Sequence, residues 1–136
     1  MGLWNFLTDA GKKVSDGAPD AAALKKEVAD LGLEAEGLEI DVVDGVVKVS
    51  GTATSQEAKE KVILAVGNIE GVSGVEDLAG GDDPLLHEVK KGDTLWAISE
   101  KTLGNGARYT EIFEANKPML SHPDKIYPGQ MLRIPQ

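Results

Sequence analysis

His87 and His122 are the only imidazoles in the 136-residue chain, and cysteine is absent. Disulfides and thiolate metal sites are therefore excluded, while a reducing compartment is permitted. The two histidines fall in separate stretches without ligand-type or triad-type spacing, so both are read as surface residues rather than zinc ligands or catalytic bases. Gly67, Gly71 and Gly74 lie close together, but the Lys-Ser/Thr pair that a phosphate loop requires is missing. Trp96 is read as core, with a sugar-facing platform as the alternative. Aromatic residues make up 4% of the chain, which leaves little for a nucleic-acid stacking surface.

Charge is the second chemical signal. Residues 1–83 carry seven Lys and Arg against seventeen Asp and Glu, a balance of −10, whereas residues 84–136 carry seven against six, or +1. An acid-rich unit repels phosphate backbones and anionic headgroups and concentrates cations. Neither nucleic acid nor a membrane is an expected partner. The opening residues lack a basic start followed by an unbroken apolar run, and no stretch approaches the roughly 20 apolar residues of a membrane helix, so the expected location is bacterial cytoplasm.

The elements that must position any site follow from periodicity. Leu3, Leu7, Ala10 and Val14, with Phe6 alongside, recur at three- and four-residue spacing and predict a short amphipathic helix within residues 1–16, stopping near Gly11 and docked on the next unit. Ala21, Leu24, Val28 and Leu31 mark a second helix. In LEIDVVDGVVKVSG the apolar residues alternate about Asp44-Gly45, a two-residue hairpin turn, which sets Val42 against Val47 and Ile40 against Val49. Thr54 to Glu57 reads as a capping box, and Ala58, Val62, Ala65, Val66 and Ile69 as the buried face of the helix it opens, ending near Gly67-Asn68. VSGVEDLA supplies a third strand. The linker GGDDP within residues 80–85 separates this unit, residues 17–79, from a second one at 86–136 with the order strand, helix, helix, strand. The predicted fold class is α+β: two small domains, the first with helices on a three-stranded sheet, the second βααβ.

The stretch HEVKKGDTLWAISEKTLGNGARYTEIFEANKPMLSHPDKIYPGQMLRIP closely resembles the LysM family from His87 to Pro135. The resemblance implies a module for N-acetylglucosamine polymers, with the sugar groove carried by Gly92, Asp93, Thr94, Leu95, Ala115, Asn116, Lys117, Pro118 and Met119. Residues 21–78, with VVDGVVKVSG followed by TSQEAKEKVILAVGNIEGV, resemble the BON family, which has been linked with phospholipid attachment.

Joined in this order behind MGLWNFLTDAG, the two units resemble the family of cytoplasmic potassium-binding proteins of BON-plus-LysM architecture. SQEAKEK, AVGNI and IFEANKPML are the most specific pieces, and the loop SDGAPD is shorter than the family's usual insert. The resemblance implies a monomeric sensor or buffer for one potassium ion, with rubidium or cesium as possible competitors, held by the backbone carbonyls of Leu7, Thr8, Ala10, Gly67, Ile69 and Val72. Such ligands suit the ion, because neutral carbonyl oxygens replace its water shell. They also suit helix ends, where roughly four carbonyls are left unpaired and about half a negative charge collects. LysM would then serve as a scaffold or protein-contact surface. No segment is left that is long enough for a catalytic domain, so no enzyme activity is expected.

Overall fold

A computed structural model of the chain describes residues 2–6, 11, 19–81 and 85–135. Helix α1 (Ala21–Asp30) starts where the Asp20 carboxylate accepts the Ala23 N–H at 2.8 Å, and it buries Leu24 and Val28. Strands β2 (Leu38–Val43) and β3 (Val46–Gly51) form the expected hairpin. Asp44 and Gly45 both have positive φ, 51° and 81°, as the tight turn demands, and the register pairs Val42 with Val47 and Ile40 with Val49. Ile40, Val47 and Val49 are buried on one side.

Helix α2 (Gln56–Gly67) begins one residue later than a Thr54 cap would place it. Ser55 is the cap, its hydroxyl accepting the Ala58 N–H at 3.0 Å, while the Thr54 hydroxyl donates to Glu34 at 2.7 Å. That shift makes Glu57 a partner of Lys61, four positions on, rather than the closing residue of a box. From Ala58 to Gly67 every residue except Lys61 is buried. A helix buried on all sides is a central one; α2 packs against α1, the sheet and the second unit.

Strand β4 (Gly74–Asp77) lies parallel to β3. Its other edge is taken by β1 (Gly2–Asn5), antiparallel, so the sheet has four strands in the order β1-β4-β3-β2. This corrects both the three-stranded expectation and the helix expected from the first residues. The run is equally consistent with a period of two: Trp4 and Phe6 pack on the core while Leu3 and Asn5 are exposed. Pairing with β4 supplies backbone hydrogen bonds that an isolated short helix must nucleate alone, and it covers an otherwise open sheet edge. Leu7, Ala10 and Val14 of the expected helix lie outside the described residues, as do positions 82–84 of the linker.

The second unit runs β5 (Leu86–Glu88), α3 (Leu95–Leu103), a 3-10 turn (Gly106–Arg108), α4 (Tyr109–Ala115) and β6 (Met131–Arg133), with β5 and β6 antiparallel. Thr94 caps α3, accepting the Ala97 N–H at 3.1 Å. The turn at Tyr127–Gln130 closes with a 3.1 Å bond, as its Pro-Gly centre predicts. Val89, Leu95, Ile98, Ile112, Leu120, Leu132 and Ile134 form this unit's core. Met131, although on β6, belongs to the core of the first unit, and Leu86 and Met119 pack beside it. No helix among the described residues is long and apolar enough to cross a membrane.

Candidate metal centre

Among the described residues no group of three or more His, Cys, Asp or Glu could hold a metal ion. A cation site built from these residues would draw on other oxygens, and the end of α2 concentrates them. After Gly67 the chain leaves helical geometry at Asn68 (φ −83°, ψ 41°), whose N–H still bonds Leu64 O at 3.0 Å. Val72 then donates to Ile69 O at 3.1 Å, tightening residues 69–72 into a turn. The side chains of Ile69 and Val72 are buried, so what this turn offers a ligand is main chain.

The N-terminal segment reaches this point twice. Phe6 donates its N–H to Ser73 O at 2.9 Å and lays its ring against the α carbon of Gly67. Gly11, at φ +104°, lies so close to the Asn68–Ile69 peptide that a Cβ there would stand 2.5 Å from Asn68 O and 3.0 Å from Ile69 N. Only glycine accepts that backbone angle and that approach together. Gly67, Ile69 and Val72 thus fall within six residues at the end of α2, flanked by Phe6 and Gly11. Leu7, Thr8 and Ala10 lie outside the described residues.

The same helix end faces the second unit. A cavity of about 330 Å³ opens there, lined among others by Gly11, Glu27, Leu64, Asn68, Met119 and Tyr127. Burial pushes the Tyr127 phenol up to about 12. Polar ties cross the boundary. The Asn68 carboxamide donates to Met131 O at 2.8 Å and accepts the Met131 N–H at 2.9 Å. Arg133 Nε donates to Glu60 Oε1 at 2.7 Å. Spacing alone could not reveal either tie, since the partners are 63 and 73 positions apart. The one legible signal was an Asn directly after a helix-ending Gly.

The sugar-groove residues are put to varied use. Gly92 is exposed; Asp93 accepts the Lys90 N–H at 2.9 Å and stands 3.5 Å from His87 Nε2, contacts that hold its carboxyl below the usual range. Thr94 is spent on its cap and Leu95 is buried. Ala115 and Asn116 are buried, and the Asn116 amide is taken up by Ile112 O, Arg133 O and the Arg133 N–H. Lys117 lies over the Phe113 ring at 4.7 Å. Pro118 lines a hollow with Gly32 and Leu33, and Met119 packs on the first unit's core. Trp96 corrects the core expectation: it is 53% exposed, because α3 buries Leu95, Ile98 and Ser99 and leaves position 96 on its flank. Its ring stands 6.2 Å from that of Tyr109. His87 is half-buried rather than a surface residue, while His122 is exposed.

Two family models match the chain, BON domain over residues 16–79 and LysM domain over residues 87–135. The potassium binding protein Kbp of Escherichia coli O6:H1 is 45% identical, in an alignment covering 100% of this chain and 99% of that protein. The chain belongs to the Kbp family. Partial relatives include the uncharacterized protein YqbP of Bacillus subtilis, 37% identical over 39% of this chain and 28% of that protein. SpoIVD-associated factor A of the same species is 42% identical over 37% of this chain and 12% of its own length. The Kbp match runs through both units, BON followed by LysM, from end to end of the chain.

Proposed function

We propose that the chain binds one potassium ion through main-chain carbonyl oxygens where its first segment meets the end of α2. The observation that carries this reading is the double seating of that segment, Phe6 on Gly67 and Gly11 on the Asn68–Ile69 peptide. It is supported by full-length similarity to a protein named for potassium binding. The ligands are the carbonyls of Leu7, Thr8, Ala10, Gly67, Ile69 and Val72. Buried side chains at Ile69 and Val72 leave the backbone as the donor, and the balance of −10 over residues 1–83 favours a cation without supplying a carboxylate cage. Binding draws two chain segments together and so stabilises the folded chain by RT ln(1 + [K]/Kd). The chain acts as a cytoplasmic sensor or buffer, monomeric, non-enzymatic, with rubidium and cesium as competitors and LysM free to meet a protein partner.

Calorimetry with potassium and sodium chloride at matched ionic strength tests this. One saturable potassium site, little sodium response and a raised thermal midpoint are expected. Equal stabilisation by both salts signifies screening alone and overturns the reading.

A second reading, binding of N-acetylglucosamine polymers, is favoured by one observation: the exposed Trp96 ring beside Tyr109, in a hollow of about 490 Å³ that Thr94 and Leu95 also line. Chito-oligomer binding without any potassium response would select it.

A further inference from the structure

We propose that Asn68 is a positioning residue through which the LysM unit holds the ion site in shape. The inference rests on the potassium reading and adds how that site is regulated. Strand β6 bonds β5 through Leu132 in register with His87, with Val89 donating to Gln130 O and Ile134 donating to Leu85 O on either side. In an antiparallel pair the intervening residues, Met131 and Arg133, turn their N–H and C=O outward. Two asparagines cover that edge, each as a peptide-like donor and acceptor. Asn116, from the LysM unit itself, takes Arg133 at 2.8 and 2.9 Å, and Asn68, from the BON unit, takes Met131 at 2.9 and 2.8 Å.

Asn68 is also the residue after Gly67 and before Ile69, and its own carbonyl is the atom against which Gly11 packs. A carboxamide held at both ends by a rigid strand fixes the side-chain torsions of its residue, and with them the peptide planes on either side. The carbonyls of Gly67 and Ile69 flank that fixed point. The Asn68–Met131 contact and the geometry of the ion site are therefore coupled, so potassium and that contact strengthen each other by the same factor. A carboxamide serves because it offers a donor and an acceptor side by side in one plane, as a peptide group does. The Glu60–Arg133 tie, near the opposite end of α2, holds the same two units together without touching the 67–72 turn.

The test compares Asn68→Ala with Arg133→Gln in the full chain, by potassium calorimetry and by amide NMR. Asn68 has a negative φ of −83° and uses its backbone N–H for the cap, so alanine, which needs no positive φ, removes the clamp. Asn68→Ala is expected to lower potassium affinity about tenfold and to abolish the potassium-dependent shift of the Met131 amide. Arg133→Gln is expected to keep affinity within about twofold. Unchanged affinity in Asn68→Ala, or equal losses in both variants, overturns the proposal. Should Asn68→Ala fail to fold, a Met131 amide that ignores potassium in the unmodified chain overturns it as well. Failure of the unmodified chain to bind potassium removes the underlying reading instead, and the two failures are told apart by which titration is flat.

Discussion

The ring of Phe6 lies across Gly67 at the last turn of α2, where any side chain would collide with it. Phe6 is itself buried, 7% exposed, between the sheet and the helix. Alanine ordinarily improves a helix relative to glycine by roughly 0.5–1 kcal/mol. Here the sign reverses: Gly67→Ala must displace the ring, and overpacking of this kind costs about 1–3 kcal/mol. Urea denaturation is expected to show that loss, and Phe6→Leu in the same chain to recover part of it. The potassium response is expected to fall in Gly67→Ala, because the displaced ring carries the chain leading to Leu7.

Lys59 of α2 and Asp77 of β4 form an ion pair at 3.0 Å with both side chains 1% exposed. Replacing Lys59 leaves the Asp77 carboxylate buried without this cation, at a cost of about 3–5 kcal/mol. Lys59→Met is expected to approach that loss in denaturant titrations, and Asp77→Asn to be destabilising as well. The double variant Lys59→Met/Asp77→Leu is expected to lose less than the sum, which a double-mutant cycle measures.

Asp93 has its carboxyl held below 3.8, first by the Lys90 N–H and then by His87. A depressed carboxyl stabilises the fold above its unfolded value and ceases to do so as pH falls through its folded value. Asp93→Asn is therefore expected to be less stable than the parent at neutral pH, with the gap closing as pH drops below 3.8. Thermal midpoints across an acid series decide it.

Tyr127, at the boundary of the two units, has its phenol raised to about 12 by burial. Between the ordinary value of 10.0 and that value the unfolded chain releases a proton that the folded chain keeps. Stability is expected to decline as pH rises over this interval. Phenolate absorbance in a Tyr109→Phe background follows Tyr127 alone, and Arg133→Gln, which loosens the boundary, is expected to lower its midpoint.

Local rules carried most of the fold. The Asp44-Gly45 turn and the register of Val42 with Val47 and of Ile40 with Val49 follow from residues a few positions apart, where steric and hydrogen-bond preferences act directly. The same reasoning misplaced the first residues. Gly2–Asn5 fit a period of two as well as one of 3.6, and the decision belonged to the open edge of β4, some seventy positions away. Trp96 was misread for a related reason: its neighbours Leu95, Ile98 and Ser99 filled the buried face of α3.

For the candidate site the sequence by itself determined composition: no thiolate, no imidazole pair, an acid-rich first unit, and helix ends marked by glycine. Those facts direct attention to main-chain oxygens. Only the tertiary structure decided that Phe6 and Gly11 meet the end of α2, and that Asn68 there grips Met131. Backbone groups are identical at every position, so no residue type announces which of them will converge. Their convergence is set by long-range packing, where edge strands and buried helix ends must find partners for polar groups that water no longer reaches.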